Sequence, residues 1–106
     1  MNLEARRTIS ADHPSLAGHF PGAPIVPAVV ILDEVMAVLN KWRAGSRLVS
    51  IPVVKFLAPL RPAQPFTICL SSMNDGESEI GFCCRVEDRT IVDGRLRICH
   101  GFGISS

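Results

Sequence analysis

The clearest pattern in the sequence is an apolar segment with helical spacing, followed by stretches in which apolar positions alternate. At about 100° per residue, most apolar side chains of residues 27–42 fall on one broad stripe that should lie on a sheet. That stripe comprises Ala28, Ile31, Leu32, Val35, Val38, Leu39 and Trp42. Asp33 lies on the other side, among Val29, Val30 and Ala37. We therefore predict one helix with a sheet-facing side and a second side that carries a carboxylate.

The rest of the sequence predicts β-strands separated by turns. A turn-rich loop is expected at residues 11–26, and Ala44-Gly45 should end the helix. Asn74-Asp75-Gly76 is a hairpin turn signal, and a second turn is expected at Asp88-Arg89. The predicted strands are residues 3–10, 47–56, 66–73, 79–87 and about 90–99. One long helix followed by a meander predicts the α+β class, with a curved antiparallel sheet wrapped around the helix.

Composition predicts one small intracellular domain that associates with itself. The chain has 106 residues, which we assign to a single domain, residues 1–106. Its apolar content of 47% is high for that size and predicts further burial in an oligomer. A net charge of +1, with no basic cluster denser than Arg6-Arg7, argues against nucleic acid or a membrane as partner. The first residues lack the apolar stretch of a signal peptide, so we expect a cytoplasmic protein.

The four cysteines show no spacing typical of a metal site. They lie in predicted strands and include no C-x-x-C pair, so we interpret them as buried thiols and predict no metal centre and no disulfide. They are Cys69, Cys83, Cys84 and Cys99.

The segment from His19 to Glu34 carries the candidate chemistry. It reads His-Phe-Pro-Gly-Ala-Pro-Ile-Val-Pro-Ala-Val-Val-Ile-Leu-Asp-Glu, which places a histidine and a carboxylate on either side of a proline-built helix start. Pro27 suits a first helical position, where its missing N–H would have had no partner. The N–H groups of Ala28 and Val29 then form a partly positive pole that can polarise a carbonyl oxygen. This is the outline of a general acid/base site.

These residues resemble the hot-dog-fold 3-hydroxyacyl–acyl-carrier-protein dehydratases of fatty acid synthesis. The family's motif is Gly-His-Phe-Pro-Gly-x-Pro, then a hydrophobic pair, Pro-Gly, and a carboxylate fourteen residues after the histidine. This sequence keeps that spacing, and the resemblance extends from about residue 6 onward. The matching residues are 18–24, Pro27-Ala28 and Asp33, with Lys55-Phe56 and Leu60-Arg61-Pro62 in the later strand-and-turn region. Because the sequence begins later than the sequences of many relatives, the resemblance implies a smaller hot-dog domain.

The resemblance also implies a reaction and its residues. Water would be lost from a 3-hydroxyacyl thioester, with an acyl carrier protein or CoA as carrier and no cofactor. His19 would remove the C2 proton, Asp33 would protonate the departing hydroxyl, and the Ala28 N–H would bind the thioester oxygen. Phe20, Gly22, Pro27 and Val29 would complete the substrate contacts. In the family the histidine and the carboxylate that meet come from different subunits, so a homodimer or higher homo-oligomer is expected.

Two other functions stay open on the sequence. A hot-dog thioesterase also places a carboxylate on the central helix, where it activates water. A non-catalytic hot dog that binds an acyl carrier is favoured by Ala28, which replaces the family's glycine, and by Ala37, which replaces a frequent glutamine. Glu34 is expected at the wet edge of the helix, in line with Lys41, and His13 and His100 have no comparable motif around them.

Overall fold

The fold is one helix packed on a five-stranded antiparallel sheet within the described part of the chain. The structure is a computed structural model that describes residues 2–10, 25–73 and 78–100. Its elements are β1 (Asn2–Arg7), α1 (Ala28–Trp42), β2 (Ser46–Phe56), β3 (Phe66–Ser72), β4 (Glu79–Val86) and β5 (Arg89–His100). The predicted α+β architecture is confirmed.

The strand order across the sheet is β1-β3-β4-β5-β2, and all neighbours are antiparallel. The strands β3, β4 and β5 form the predicted meander. The predicted turn at Asn74-Asp75-Gly76 lies outside the described residues. The turn between β4 and β5 is at Glu87-Asp88, one residue earlier than predicted, and Glu87 takes a left-handed φ of 55° there. Because β1 and β2 occupy opposite edges, the chain crosses the whole sheet between them, and α1 lies in that crossing.

The first strand is shorter than predicted. It ends at Arg7, whereas the pattern extended it to residue 10. Ile9 is buried but outside the strand, and its carbonyl accepts a hydrogen bond of 2.7 Å from the Ala63 N–H. The alternating apolar pattern therefore continued beyond the end of β1, because a buried residue outside the strand gives the same pattern as a buried residue within it.

The sheet covers a wider arc of α1 than the predicted stripe. The buried residues of the helix are Val30, Ile31, Val35, Val38 and Leu39. The placement of Val30 on the side of Asp33 was wrong, because Val30 is only 2% exposed. Ala28, assigned to the stripe, is exposed because it is the first helical residue. A curved sheet covers about half of the helix circumference. The predicted stripe assumed contact with a flat sheet and therefore underestimated the width of the buried side.

The core lies between α1 and the concave face of the sheet. Alternate residues of β3, β4 and β5 point into it, as period-2 alternation requires. They include Phe66, Ile68, Leu70, Ile80, Phe82, Cys84, Val92, Leu96 and Ile98. Among the described residues, no helix has the length and apolar character needed to cross a membrane.

Cysteines from two strands meet on the opposite, outer face of the sheet. Cys69 of β3 lies directly across from Cys83 of β4, and its thiol donates to a carboxylate oxygen of Glu4 at 3.8 Å. Desolvation by burial, then the hydrogen bond with Cys83, raises the pKa of the Cys69 thiol to about 12. Burial also raises the pKa of Cys84, on the core side, to about 12. The prediction of four buried thiols was wrong for Cys99, which is exposed at the end of β5, and only Cys84 is fully buried.

Alkylation of the folded protein by iodoacetamide at pH 8 should therefore modify Cys99, which is exposed, well before Cys69 and Cys84. A thiol with a pKa near 12 is ionised in only about one molecule in 10⁴ at pH 8, and the thiolate is the nucleophile. Peptide mass mapping over a time course would measure the order, and labelling in urea, where all four should react alike, is the control. Modification of Cys69 at the rate of Cys99 in the folded protein would contradict the expectation.

Candidate functional site

The start of α1 is held by backbone hydrogen bonds rather than by a side-chain cap. The Val26 N–H donates to the carbonyl of Leu60 at 2.8 Å, so the turn after β2 lies beside the helix entry. Pro27 is the N-cap, with an extended backbone at φ −62° and ψ 150°. The prediction that Pro27 occupies the first helical position was therefore wrong by one residue, because Pro27 precedes that position. Pro27 provides no side-chain cap hydrogen bond.

The first amides of α1 point out of the helix start. The carbonyl of Pro27 accepts from the N–H groups of Val30 at 3.0 Å and Ile31 at 3.3 Å, which are the first intrahelical bonds. The N–H groups of Ala28 and Val29 precede these bonds, and such groups have no intrahelical acceptor. Both residues are exposed, Val29 by 62%. The arrangement can hydrogen-bond an oxygen atom that develops negative charge in front of the helix.

Asp33 lies on the side of α1 that faces away from the sheet, as predicted. It is exposed, as is Ala37 one turn later. With a rise of about 1.5 Å per residue, Asp33 is about 7.5 Å along the axis from Ala28. Val29 lies one turn before Asp33 on the same face of α1, so the carboxylate and the exposed helix start border the same open side of the molecule. The described residues leave this side open.

The prediction that Glu34 lies at the solvent-exposed edge of the helix was wrong. Arg7 of β1 donates from Nε at 2.7 Å and from Nη2 at 2.6 Å to the same carboxylate oxygen of Glu34. The two side chains are 29% and 23% exposed. The sequence pattern did not predict this pair, although it contains a signal. Arg7 continues the core-facing positions of Leu3 and Ala5, where a charge needs a partner.

Three of the predicted site residues fall outside the described part of the chain. They are His19, Phe20 and Gly22. Their roles stay predictions. The described half of the site consists of Pro27, Ala28, Val29 and Asp33, which α1 and its entry bring together.

A separate trough of about 490 Å³ lies on the outer face of the sheet, away from α1. Small residues of β3 and β4, among them Ser71, Gly81 and Cys83, lie along it, with Lys55 and Arg95 from β2 and β5. This trough is on the opposite side of the sheet from Asp33 and contains none of the predicted site residues that the structure describes.

Comparison with solved structures defines the class as the hot-dog fold. The chain resembles the dehydratase heterocomplex ApeI:P from Xenorhabdus doucetiae with a TM-score of 0.81 and 23% identity, over 92% of this chain and 87% of that one. An uncharacterized protein from Erwinia carotovora subsp. atroseptica matches at the same TM-score and 26% identity, over 93% and 83%. A fluoroacetyl-CoA-specific thioesterase, FlK, shares the fold at a TM-score of 0.70 and 13% identity, over 94% and 86%.

Within that class, the chain belongs to the ApeI-like family, described as ApeI dehydratase, whose model matches residues 1–95. Curated relatives include the 3-hydroxyacyl-[acyl-carrier-protein] dehydratases FabZ of Chlamydia trachomatis serovar L2 and Wolbachia pipientis. The first is 31% identical over 77 residues, which is 63% of this chain and 50% of that protein. The second is 31% identical over 84 residues, or 72% and 57%. The matches thus span about half the length of these relatives.

Proposed function

We propose that this chain catalyses the loss of water from a 3-hydroxyacyl thioester, giving a trans-2-enoyl thioester. The observation that carries the proposal is the position of Asp33. It lies on the exposed side of α1, on the side bordered by the uncapped helix start, in a member of a dehydratase family. A carboxylate beside partly positive amides suits a reaction that moves a proton and develops charge on a carbonyl oxygen.

In the proposed reaction His19, neutral near pH 7, removes the proton from C2. The electrons form the C2=C3 double bond, and the bond from C3 to its hydroxyl breaks. Asp33 supplies a proton, directly or through a water, so that the hydroxyl leaves as water. Negative charge on the thioester oxygen is stabilised by the Ala28 N–H, and a donor of this kind typically contributes roughly 3–4 kcal/mol.

The proposed substrate is a 3-hydroxyacyl thioester of an acyl carrier protein or of CoA. The names of the FabZ relatives state the acyl-carrier-protein form. Phe20, Gly22 and Pro27 would shape the entrance, and Val29, which is 62% exposed, would contact the acyl chain.

A direct assay tests the proposal. The purified protein is offered 3-hydroxyacyl-CoA and 3-hydroxyacyl–acyl-carrier-protein, with enoyl absorbance and free thiol recorded together. Enoyl product without thiol is expected. Free thiol without enoyl product would instead indicate a thioesterase, and binding of acyl carrier protein with neither product would indicate a non-catalytic subunit. Both outcomes contradict the proposed dehydration.

The active unit is proposed to be a homodimer formed along the free edge of β2. In the described residues β2, which is eleven residues long, pairs only with β5, so its other edge presents unpaired backbone groups. Leu48 is 42% and Val49 57% exposed on that strand. Antiparallel pairing of two copies would join the sheets, cover these side chains, and bring a second chain to the open side of α1. The relative ApeI:P is a heterocomplex, so a different hot-dog partner is the alternative occupant.

We expect a dimer in sedimentation velocity at micromolar concentration, and Val49→Arg should shift it to a monomer. The substitution would bury an arginine charge without a partner between the two β2 strands, which disfavours their pairing. Met73→Arg is the matched control, because Met73 is 46% exposed but lies beyond the end of β3. A wild type that sediments as a well-behaved monomer would contradict the homodimer and the cross-subunit site with it.

Ala28→Gly should raise kcat/KM by several-fold, up to about tenfold, and broaden the range of acyl chains. The mutation keeps the N–H donor and removes an exposed methyl group at the proposed point of closest substrate approach. Glycine near a helix start costs only about a few tenths of a kcal/mol. Steady-state kinetics on a series of chain lengths measures the effect. Loss of activity would show that the methyl group positions the substrate.

A further inference from the structure

The ion pair between Arg7 and Glu34 joins the proposed catalytic helix to an edge strand. Arg7 is the last residue of β1, which is paired with β3 along its full length, with Arg7 opposite the buried Phe66. Glu34 directly follows Asp33 on α1. Two guanidinium nitrogens, Nε and Nη2, donate to one carboxylate oxygen at 2.7 and 2.6 Å. The contact is therefore directional, whereas the apolar packing beneath α1 is not.

We propose that Arg7 is a positioning residue that, by holding Glu34, sets the rotation of α1 and thereby the place of the Asp33 carboxylate. This inference rests on the proposed function. Adjacent residues of a helix are rigidly related, so any rotation that displaces Glu34 displaces Asp33 equally. With side-chain atoms about 5–6 Å from the axis, a rotation of about 20° moves them by roughly 2 Å. Misplacing a reacting group by about 1 Å can cost roughly a hundredfold in rate.

Two other polar contacts hold the ends of α1. At its start, the Val26–Leu60 backbone bond fixes the entry but precedes the helix. At its end, Arg43 donates to the Ser72 hydroxyl of β3 at 2.6 Å. Between them, the described contacts of α1 with the sheet are apolar except for the Arg7–Glu34 pair, which therefore supplies the directional contact in the middle of the helix. A partly buried ion pair contributes little net stability compared with an apolar contact, so its orienting effect is the better account of a charge on the core-facing side of β1.

The same strand offers a matched control. Glu4, on the outer face of β1, pairs with Arg85 of β4 at 3.0 Å, with side chains 61% and 36% exposed. This second pair also joins β1 to another element, but it lies on the face of the sheet opposite α1. Removing it should perturb the edge strand without reaching Asp33.

The test compares Arg7→Gln, Glu34→Gln and the reciprocal Arg7→Glu/Glu34→Arg with Glu4→Gln and Arg85→Gln, on one 3-hydroxyacyl thioester. Each inner-face single variant should lower kcat about tenfold with KM changed less than about twofold, because positioning rather than binding is lost. The reciprocal variant should recover kcat to within about threefold of the wild type, well above either Arg7→Gln or Glu34→Gln. The outer-face variants should keep kcat. Melting temperatures are recorded for all, so that unfolding is not mistaken for slow turnover.

Equal kcat in every folded variant, or a loss that the reciprocal exchange leaves unrepaired, would overturn the positioning role. An inactive wild type would refute the proposed function instead. The positioning role is then tested by NMR, from the amide ¹⁵N–¹H signals of α1. Arg7→Gln and Glu34→Gln should shift the signals of residues 30–37 in the same way, and Glu4→Gln should not. Unshifted helix signals would contradict the inference without any reference to activity.

Discussion

His19→Ala and Asp33→Asn should each lower the turnover of a 3-hydroxyacyl thioester at least about a hundredfold while the protein stays folded. General acid and base steps typically contribute about 10²–10⁴ in rate. Asp33 is exposed and lies opposite the sheet-facing side of α1, so its replacement by an isosteric amide should leave the core intact. Both kcat and kcat/KM should fall together, because the proton transfers occur only in the transition state.

Controls for this prediction come from the predicted loop at residues 11–26 and from the same helix. His13→Ala removes a nearby histidine without the motif and should be close to silent. Glu34→Gln should cost about tenfold through the loss of the Arg7 contact, which is much less than the loss at Asp33. If Glu34 proves essential and Asp33 dispensable, the alignment of the helix with the family motif is wrong by one residue.

Gly94→Ala should destabilise the fold by about 3 kcal/mol, at the upper end of the usual cost of overpacking a core. Gly94 of β5 faces the core between Phe82 of β4 and Val54 of β2. A Cβ atom at this position would lie 2.5 Å from the carbonyl oxygen of Val53 and 2.9 Å from the Phe82 ring. The nearer atom belongs to the backbone of an edge strand, so relief requires β2 to move away from β5.

Gly81→Ala is the control for Gly94→Ala. Its added Cβ would meet the sulfur of Met73 at 2.6 Å, but this is the flexible part of an exposed side chain that can turn away. We expect a change within about 0.5 kcal/mol, as for ordinary surface substitutions. Urea denaturation of both variants measures the difference, and equal losses would contradict the account of the β2–β5 contact. Since β2 is also the proposed dimer edge, Gly94→Ala should weaken the dimer as well.

The elements could be predicted closely because their signals are local. Apolar spacing located α1 to within a residue at its start, and alternation located both ends of β3, β4 and β5 to within one residue. The motif around His19 and Asp33 pointed to the dehydratase class, which the family match confirms. Asp33 was also placed on the correct side of the helix, because angular position follows directly from residue number.

The partners of these residues could not be predicted, because they depend on elements far apart in the chain. Arg7 and Glu34 are separated by 27 positions, and no periodicity relates them. Their meeting requires that β1 occupy an edge of the sheet beside the helix, a place set by its pairing with β3. Sequence alone showed a charge at a core-facing position but not what would neutralise it.

By itself, therefore, the sequence determined which segments are helix or strand, which side of α1 carries Asp33, and the reaction class that the motif implies. Only the tertiary structure decided how far the sheet wraps around the helix, and with it the burial of Val30, the exposure of Ala28 and the pairing of Glu34. The physical reason is that backbone periodicity is a property of neighbouring residues. Burial and ion pairing depend on sheet curvature and strand order, which arise from contacts between residues distant in sequence.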